Sequence, residues 1–164
     1  HQTRYQLPIP PSPNLPNMKS IYLYPSTCFF EATPVSLGRG TSLPFQVYGH
    51  PNMTGYNYSF TPRSIPGAKN PPQLNKLCHG VNLSNMSDEE IWKRGVDLTY
   101  VIDAYRNLNL DDHFFRPFFE LLVGRDYVRK MIKEGKSADE IKAMWKGDVE
   151  KFKAQRKPYL LYEE

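Results

Sequence analysis

In the stretch "CFFEATPVSLGRGT", residues 28 to 41, a carboxylate follows two phenylalanines and an arginine stands between two glycines eight residues later. Both types carry chemistry in such company. A carboxyl held among Cys28, Phe29, Phe30 and Ala32 ionises less readily if buried, which raises its pKa and suits it to donate or share a proton at neutral pH. The other reading of Glu31 is a carboxylate paired with an arginine or with backbone donors. Arg39 lies within "GRGT", where Gly38 and Gly40 allow the backbone to come close to a ligand and the guanidinium fork can take a carboxylate in two places. The alternative is a glycine-rich turn with an exposed arginine.

Other chemistries find less support. Cys28 and Cys78 are the only cysteines, and no CxxC or HxxxH spacing gathers them with His1, His50, His79 or His113 into a metal site. Cys78 and His79 are neighbours in a strand-like run, so their side chains take opposite faces, against a Cys/His hydrolase. No metal and no cofactor is expected. The four Asn-x-Ser/Thr matches, at Asn52, Asn57, Asn82 and Asn85, matter only in a eukaryotic secreted protein.

The elements that must position Glu31 and Arg39 fall into two halves. Thirteen of the fifteen prolines occur in residues 1 to 72, and "LPIPPSPNLPN" excludes regular helix and central strand because proline lacks the donor. That half is nevertheless rich in Tyr and Phe, which predicts ordered irregular chain with short strands at 45 to 48, 57 to 61 and 77 to 83. A short helix starting near Pro25 to Ser26 is expected to carry Cys28 to Glu31.

From residue 87 the punctuation is helical. Ser87 with Glu90 forms a capping box, and Ile91, Leu98, Ile102 and Tyr105 lie on one face of a helix running to about Leu108. Further helices are expected from Pro117 through "FFELLV", from Asp126 to Gly135, and from the second capping box, Ser137 with Glu140. In the last of these, Ile141, Met144, Trp145, Val149 and Phe152 form an apolar stripe expected in the core. "KPYLLYEE" breaks that helix at Pro158 and reads as a final short strand. The fold class is α+β in one domain, residues 1 to 164, with a loop and short-strand half (1 to 86) and a half of about four helices (87 to 164).

The formal net charge is +4. Its excess is local, since residues 129 to 157 hold ten Lys or Arg against five Asp or Glu. A solvated helix face accounts for this, and no nucleic-acid signature accompanies it, so no nucleic-acid partner is expected. No run of eighteen apolar residues is present to span a bilayer. The chain begins with His1 and has no basic and apolar leader, so any targeting segment is expected to have been removed or to lie upstream.

Taken in order, "PPSPNLP", "YPSTCFFEAT", "SLGRGT", "PFQVYGHP", "LCHGV", "GKSADEI" and "RKPYLLY" resemble the C-terminal, auxiliary domain of a bacterial exo-β-N-acetylmuramidase family, formerly a domain family of unknown function. The resemblance runs from about residue 7 to 162. It implies a two-part enzyme whose N-terminal Rossmann-like domain, absent from this chain, carries much of the catalytic apparatus and forms a cleft with the present domain. It also implies a peptidoglycan-derived saccharide as substrate and a periplasmic or extracellular location. Carried onto this chain, Glu31 matches the Glu of an FEGT-like motif, and Gly38, Arg39, Gly40 and Thr41 match the family's GRGT. Ala32 departs from the usual Gly, and Leu37 stands where an acid is often found.

In that light Arg39 is the expected partner of the lactyl carboxylate of N-acetylmuramic acid, and Glu31 the expected catalytic or hydroxyl-binding group. Tyr22, Tyr24 and Tyr48 are candidate sugar platforms or core residues. The principal acid is expected on the missing half, so the fragment alone is expected to be inactive. The competing functions are a non-catalytic cell-wall glycan-binding module and an interaction domain using the basic surface of residues 129 to 157.

Overall fold

The capping residue of the first helix is Asn17, whose side chain accepts the Ser20 backbone N–H at 2.9 Å while its own N–H points back at Ser20 Oγ, 3.4 Å away. This reciprocal cap satisfies two orphan donors and starts α1, Met18–Thr27. In the computed structural model, which describes residues 4–162, the expected start near Pro25 is therefore corrected. Pro25 lies inside the end of α1, where it removes one intrahelical donor. The chain then tightens into a 3-10 turn, Cys28–Ala32. Phe29, Phe30 and Ala32 from this turn enter the main core beside Leu23, Leu37 and Val101.

Three short antiparallel strands follow: β1 (Val47–His50), β2 (Tyr58–Phe60) and β3 (Cys78–Asn82). β2 and β3 fall inside the expected 57 to 61 and 77 to 83 with their ends trimmed, whereas β1 lies two residues later than the expected 45 to 48, because Phe45 holds φ 60° and the Gln46 N–H turns back to the Leu43 carbonyl. They pair in the order β1-β3-β2, with His50 opposite His79 on one side of β3 and Ser59 opposite His79 on the other. Ser36 adds one bridge to the free edge of β1, exchanging hydrogen bonds of 2.8 and 2.9 Å with Gly49. That bridge anchors the chain two residues before the GRGT turn.

Among the described residues the helical half holds five α-helices rather than about four. Ser87 caps α2, Asp88–Arg94, by accepting the Glu90 N–H at 3.1 Å. The single helix expected to run to Leu108 is instead two, because the chain turns at Gly95 with φ 61°. Asp97 then receives the Thr99 N–H at 2.8 Å, and α3 runs Thr99–Leu108 with Val101, Ile102, Ala104 and Leu108 buried. Next come α4 (Phe119–Val123), α5 (Tyr127–Lys133) and α6 (Ala138–Arg156).

The Ser137–Glu140 capping box is present at the start of α6. Ser137→Ala is expected to cost about 1 kcal/mol of local stability, read as faster amide exchange in the first turns of α6. The stripe on α6 differs from expectation. Ile141 is fully buried, but Met144, Val149 and Phe152 are 57%, 42% and 60% exposed. A 19-residue helix is about 28 Å long and outruns the body against which its first turns pack. The last helical element among the described residues is a 3-10 turn, Lys157–Tyr159. No strand follows it among the described residues, so the final strand is also corrected.

Candidate functional site

In a 3-10 turn residues three apart eclipse, and in an α-helix residues four apart share a face. Tyr24, Cys28 and Glu31 consequently stand in one row from the end of α1 into the 3-10 turn, while Phe29 and Phe30 point into the core. Glu31 is half-buried. Burial pushes its carboxyl above the ordinary value, and the positive charge of Arg39 acts in the opposite direction. The two groups therefore occupy one electrostatic neighbourhood, although no ion pair joins them directly among the described residues. Arg39 Nε is buried and has no hydrogen-bond partner there.

Arg39 reaches this place from the tip of a tight turn. The Thr41 N–H donates to the Gly38 carbonyl at 3.1 Å, Thr41 Oγ1 donates to the same carbonyl at 2.7 Å, and that hydroxyl accepts the Leu43 N–H at 3.0 Å. Gly38 and Gly40 both have φ 82°, the left-handed region that disfavours other residues. A Cβ on Gly38 would stand 2.4 Å from the Leu43 carbonyl oxygen, and one on Gly40 would stand 2.4 Å from that of Arg63. The chain's own close passage thus explains both glycines, and the turn explains the Thr41 hydroxyl. Among the side chains of the four residues, Arg39 carries a buried donor with no partner among the described residues.

Two further side chains belong to the row. Burial, with the Glu31 charge second, pushes the Cys28 thiol up to about 11, so it stays protonated at neutral pH and is no nucleophile. Tyr24 packs against Phe45 with ring centres 5.0 Å apart, and its hydroxyl is raised by burial, then by Glu31 and Cys28. The spacing 24, 28, 31 was the legible signal for this row, once α1 is known to begin at Met18.

Other groups singled out in the sequence lie elsewhere. Tyr48 is core: it stacks on Phe30 at 4.9 Å and donates to Asp103 Oδ2 at 2.7 Å. Tyr56 donates to the same oxygen at 2.8 Å, a buried-edge network that no sequence pattern announced. Tyr22 sits edge-on to Trp92. Burial and then Lys76 lower the His50 imidazole, whose Nδ1 accepts the Asn52 N–H at 3.1 Å. His1 lies outside the described residues. Cys28 and Cys78 are free thiols. Among the described residues no cluster of three His, Cys, Asp or Glu side chains is placed to hold a metal ion, and no helix is long and apolar enough to cross a membrane.

The Glu31–Arg39 coupling has a measurable sign. Arg39→Gln is expected to raise the Glu31 titration further, since the cation that lowers it is gone. A carboxyl-detected NMR titration reads this directly. Because the folded pKa lies above the unfolded value, this group's contribution to stability is full at low pH and is lost as pH rises through the folded pKa. Glu31→Gln is therefore expected to be more stable than the parent at neutral pH, with the gap closing toward acid, in urea unfolding followed across pH.

A family model described as "Exo-beta-N-acetylmuramidase NamZ, C-terminal" matches residues 22–162. The chain is 33% identical over 167 residues to the peptidoglycan beta-N-acetylmuramidase NamZ of Bacillus subtilis strain 168, covering 93% of this chain and 40% of that protein. Among solved structures it is similar to a DUF1343 family protein from Bacteroides fragilis NCTC 9343, with a TM-score of 0.98 and 84% identity, over 100% of this chain and 46% of that one. A second DUF1343 protein of that organism, with a TM-score of 0.66 and 20% identity over 94% of this chain and 45% of its own, shares the fold. The chain spans less than half the length of these relatives. On the match across residues 22–162, carried by a fold shared along its whole length, the chain belongs to the NamZ C-terminal domain family.

Proposed function

We propose that this domain contributes substrate-binding residues to an interdomain cleft of a peptidoglycan-processing exo-β-N-acetylmuramidase. The observation that carries this reading is that Glu31, half-buried with its carboxyl pushed upward, lies in the field of Arg39, whose Nε has no hydrogen-bond partner among the described residues. Arg39 is only partly buried and its guanidinium makes no ion pair among the described residues, which suits an incoming carboxylate, and N-acetylmuramic acid presents one on its lactyl group. Gly38, Gly40 and Thr41 hold the turn that aims Arg39. Glu31, carrying a proton more readily than an exposed carboxylate, hydrogen-bonds sugar hydroxyls or assists proton transfer, and Tyr24 offers an apolar face beside it.

Glycoside hydrolysis ordinarily uses two carboxyl groups. Glu31 supplies one beside Arg39, so the principal acid is assigned to an N-terminal domain of the full-length protein, and the 164-residue chain alone is assigned no turnover. The substrate's place in the cell wall implies a periplasmic or extracellular protein.

The test uses the full-length protein and a saccharide ending in N-acetylmuramic acid. Release of the free sugar acid supports the reading. Glu31→Gln is expected to lower kcat and to change its pH dependence; an unaltered pH profile would discard the acid/base share and leave a glycan-binding module.

A further inference from the structure

The apolar stripe of α6 is one feature with two environments. Ile141, Trp145, Val149 and Phe152 recur at helical spacing. The first is sealed in the core, Trp145 is partly covered, and the last two stand open. Surface apolar residues scattered singly need no explanation, but a stripe that begins as core and continues uncovered has the pattern of a contact face.

The stripe also joins a wider band. A cavity of about 380 Å³ is lined by Trp145 and Val149. One of about 260 Å³ shares Trp145 and reaches Val96, itself 41% exposed. A third, about 290 Å³, shares Val96 and reaches Trp92 and Pro25. Shared lining residues therefore make the band continuous from α6 to the end of α1. There Pro25 adjoins Tyr24, at the head of the Glu31 row. Lys93, Arg94, Lys142 and Lys146 rim it, outnumbering the two acids there, Asp97 and Asp139.

Two observations name its occupant. Relatives matched along nearly this whole chain are more than twice as long, and the matching model is the C-terminal part of the family, so their additional length precedes this domain. The earliest described segment lies at the band: the Arg4 guanidinium sits 5.3 Å from the Trp92 ring centre and pairs with Glu89 at 2.9 Å. A domain attached before Arg4 is thereby tethered at the Trp92 edge, at high effective concentration over the band.

We propose that the N-terminal portion of the full-length protein packs on this band, presenting an apolar surface with carboxylates opposite Lys93, Lys142 and Lys146. The inference rests on the two-part reading above and adds which face closes. It sets the Glu31 row beside the rim of the interface, where a cleft between the two parts would open.

The test is thiol labelling in full-length protein, without substrate, of Val149→Cys, Phe152→Cys and, as reference, Ala154→Cys. Residue 154 is turned about 200° from 152 on the helix and faces away from the stripe. Mass spectrometry assigns the labelled site, separating it from Cys28 and Cys78. The first two are expected to react at least about tenfold more slowly than the reference, because a covered thiol is shielded from the reagent, at every protein concentration. Equal rates overturn the proposal. Protection that grows with protein concentration overturns it in favour of a second copy, and protection that requires added peptidoglycan fragment overturns it in favour of a saccharide. Labelling does not depend on turnover: protected thiols in a protein that releases no N-acetylmuramic acid would keep the contact and remove the activity, and the reverse result would do the opposite.

Discussion

Arg39→Ala in the full-length protein is expected to lower kcat/KM toward a saccharide ending in N-acetylmuramic acid by on the order of a hundredfold, mainly through KM. The magnitude follows from what the guanidinium would lose. A charge-assisted hydrogen bond to a carboxylate contributes about 1.5–3 kcal/mol, and a bidentate pair adds orientation. The Arg39 side chain makes no hydrogen bond or ion pair among the described residues, so no direct internal partner competes with a ligand for the fork. An analogue ending in N-acetylglucosamine lacks the lactyl carboxylate, so the same variant is expected to affect it much less. Arg39→Lys should recover part of the binding, since a point charge remains while the planar fork is lost. Equal losses on both saccharides would reject the carboxylate role. Circular dichroism matching the parent is the folding control, and Arg39 sits at the tip of its turn, where truncation leaves the Gly38–Thr41 hydrogen bonds in place.

Gly40→Ala is expected to destabilise the domain by about 3 kcal/mol or more, read as a lower urea midpoint at unchanged slope. Two effects add. The backbone holds φ 82°, a region that costs a side-chain-bearing residue about 1–3 kcal/mol. The new methyl would also meet the Arg63 carbonyl oxygen at 2.4 Å. That segment does not retreat freely, because the Arg63 N–H donates to the Gly40 carbonyl at 2.8 Å. Gly147 provides the contrast. It lies inside α6 in open space, where an added methyl would touch nothing, so Gly147→Ala is expected to stabilise by up to about 1 kcal/mol through helix propensity. The same chemical change thus takes opposite signs at two sites, and an unfolding series on both checks the turn geometry that aims Arg39.

The features legible in the sequence were those made by few residues close in the chain. Ser87 with Glu90 and Ser137 with Glu140 begin helices because a hydroxyl and a backbone N–H three residues apart meet in any context. The three strands lie in proline-free runs, β1 and β2 carrying Tyr or Phe and β3 lying in "LCHGVNL", and GRGT forms a turn through bonds spanning Gly38 to Leu43. Glu31 and Arg39 were both singled out for their types and their setting.

Failures of local reading share a cause. Pro25 suggested a helix start, yet Asn17 and Ser20 supplied a better cap upstream, and α1 carried the proline in its last turn. The helical spacing from Ile91 to Tyr105 continues across Gly95 in sequence while the backbone there turns away. Periodicity marked Ile141 and Phe152 as equals, but it reports which face is apolar and says nothing of how far the body extends beneath it. By itself, then, the sequence determined the caps, the turn and the apolar faces, since their bonds close within a few residues. Only the tertiary structure decided that Arg39 lies in the field of Glu31, that Tyr48 is core and that most of the α6 stripe is open, because burial and charge at a point are sums over segments far apart in the chain.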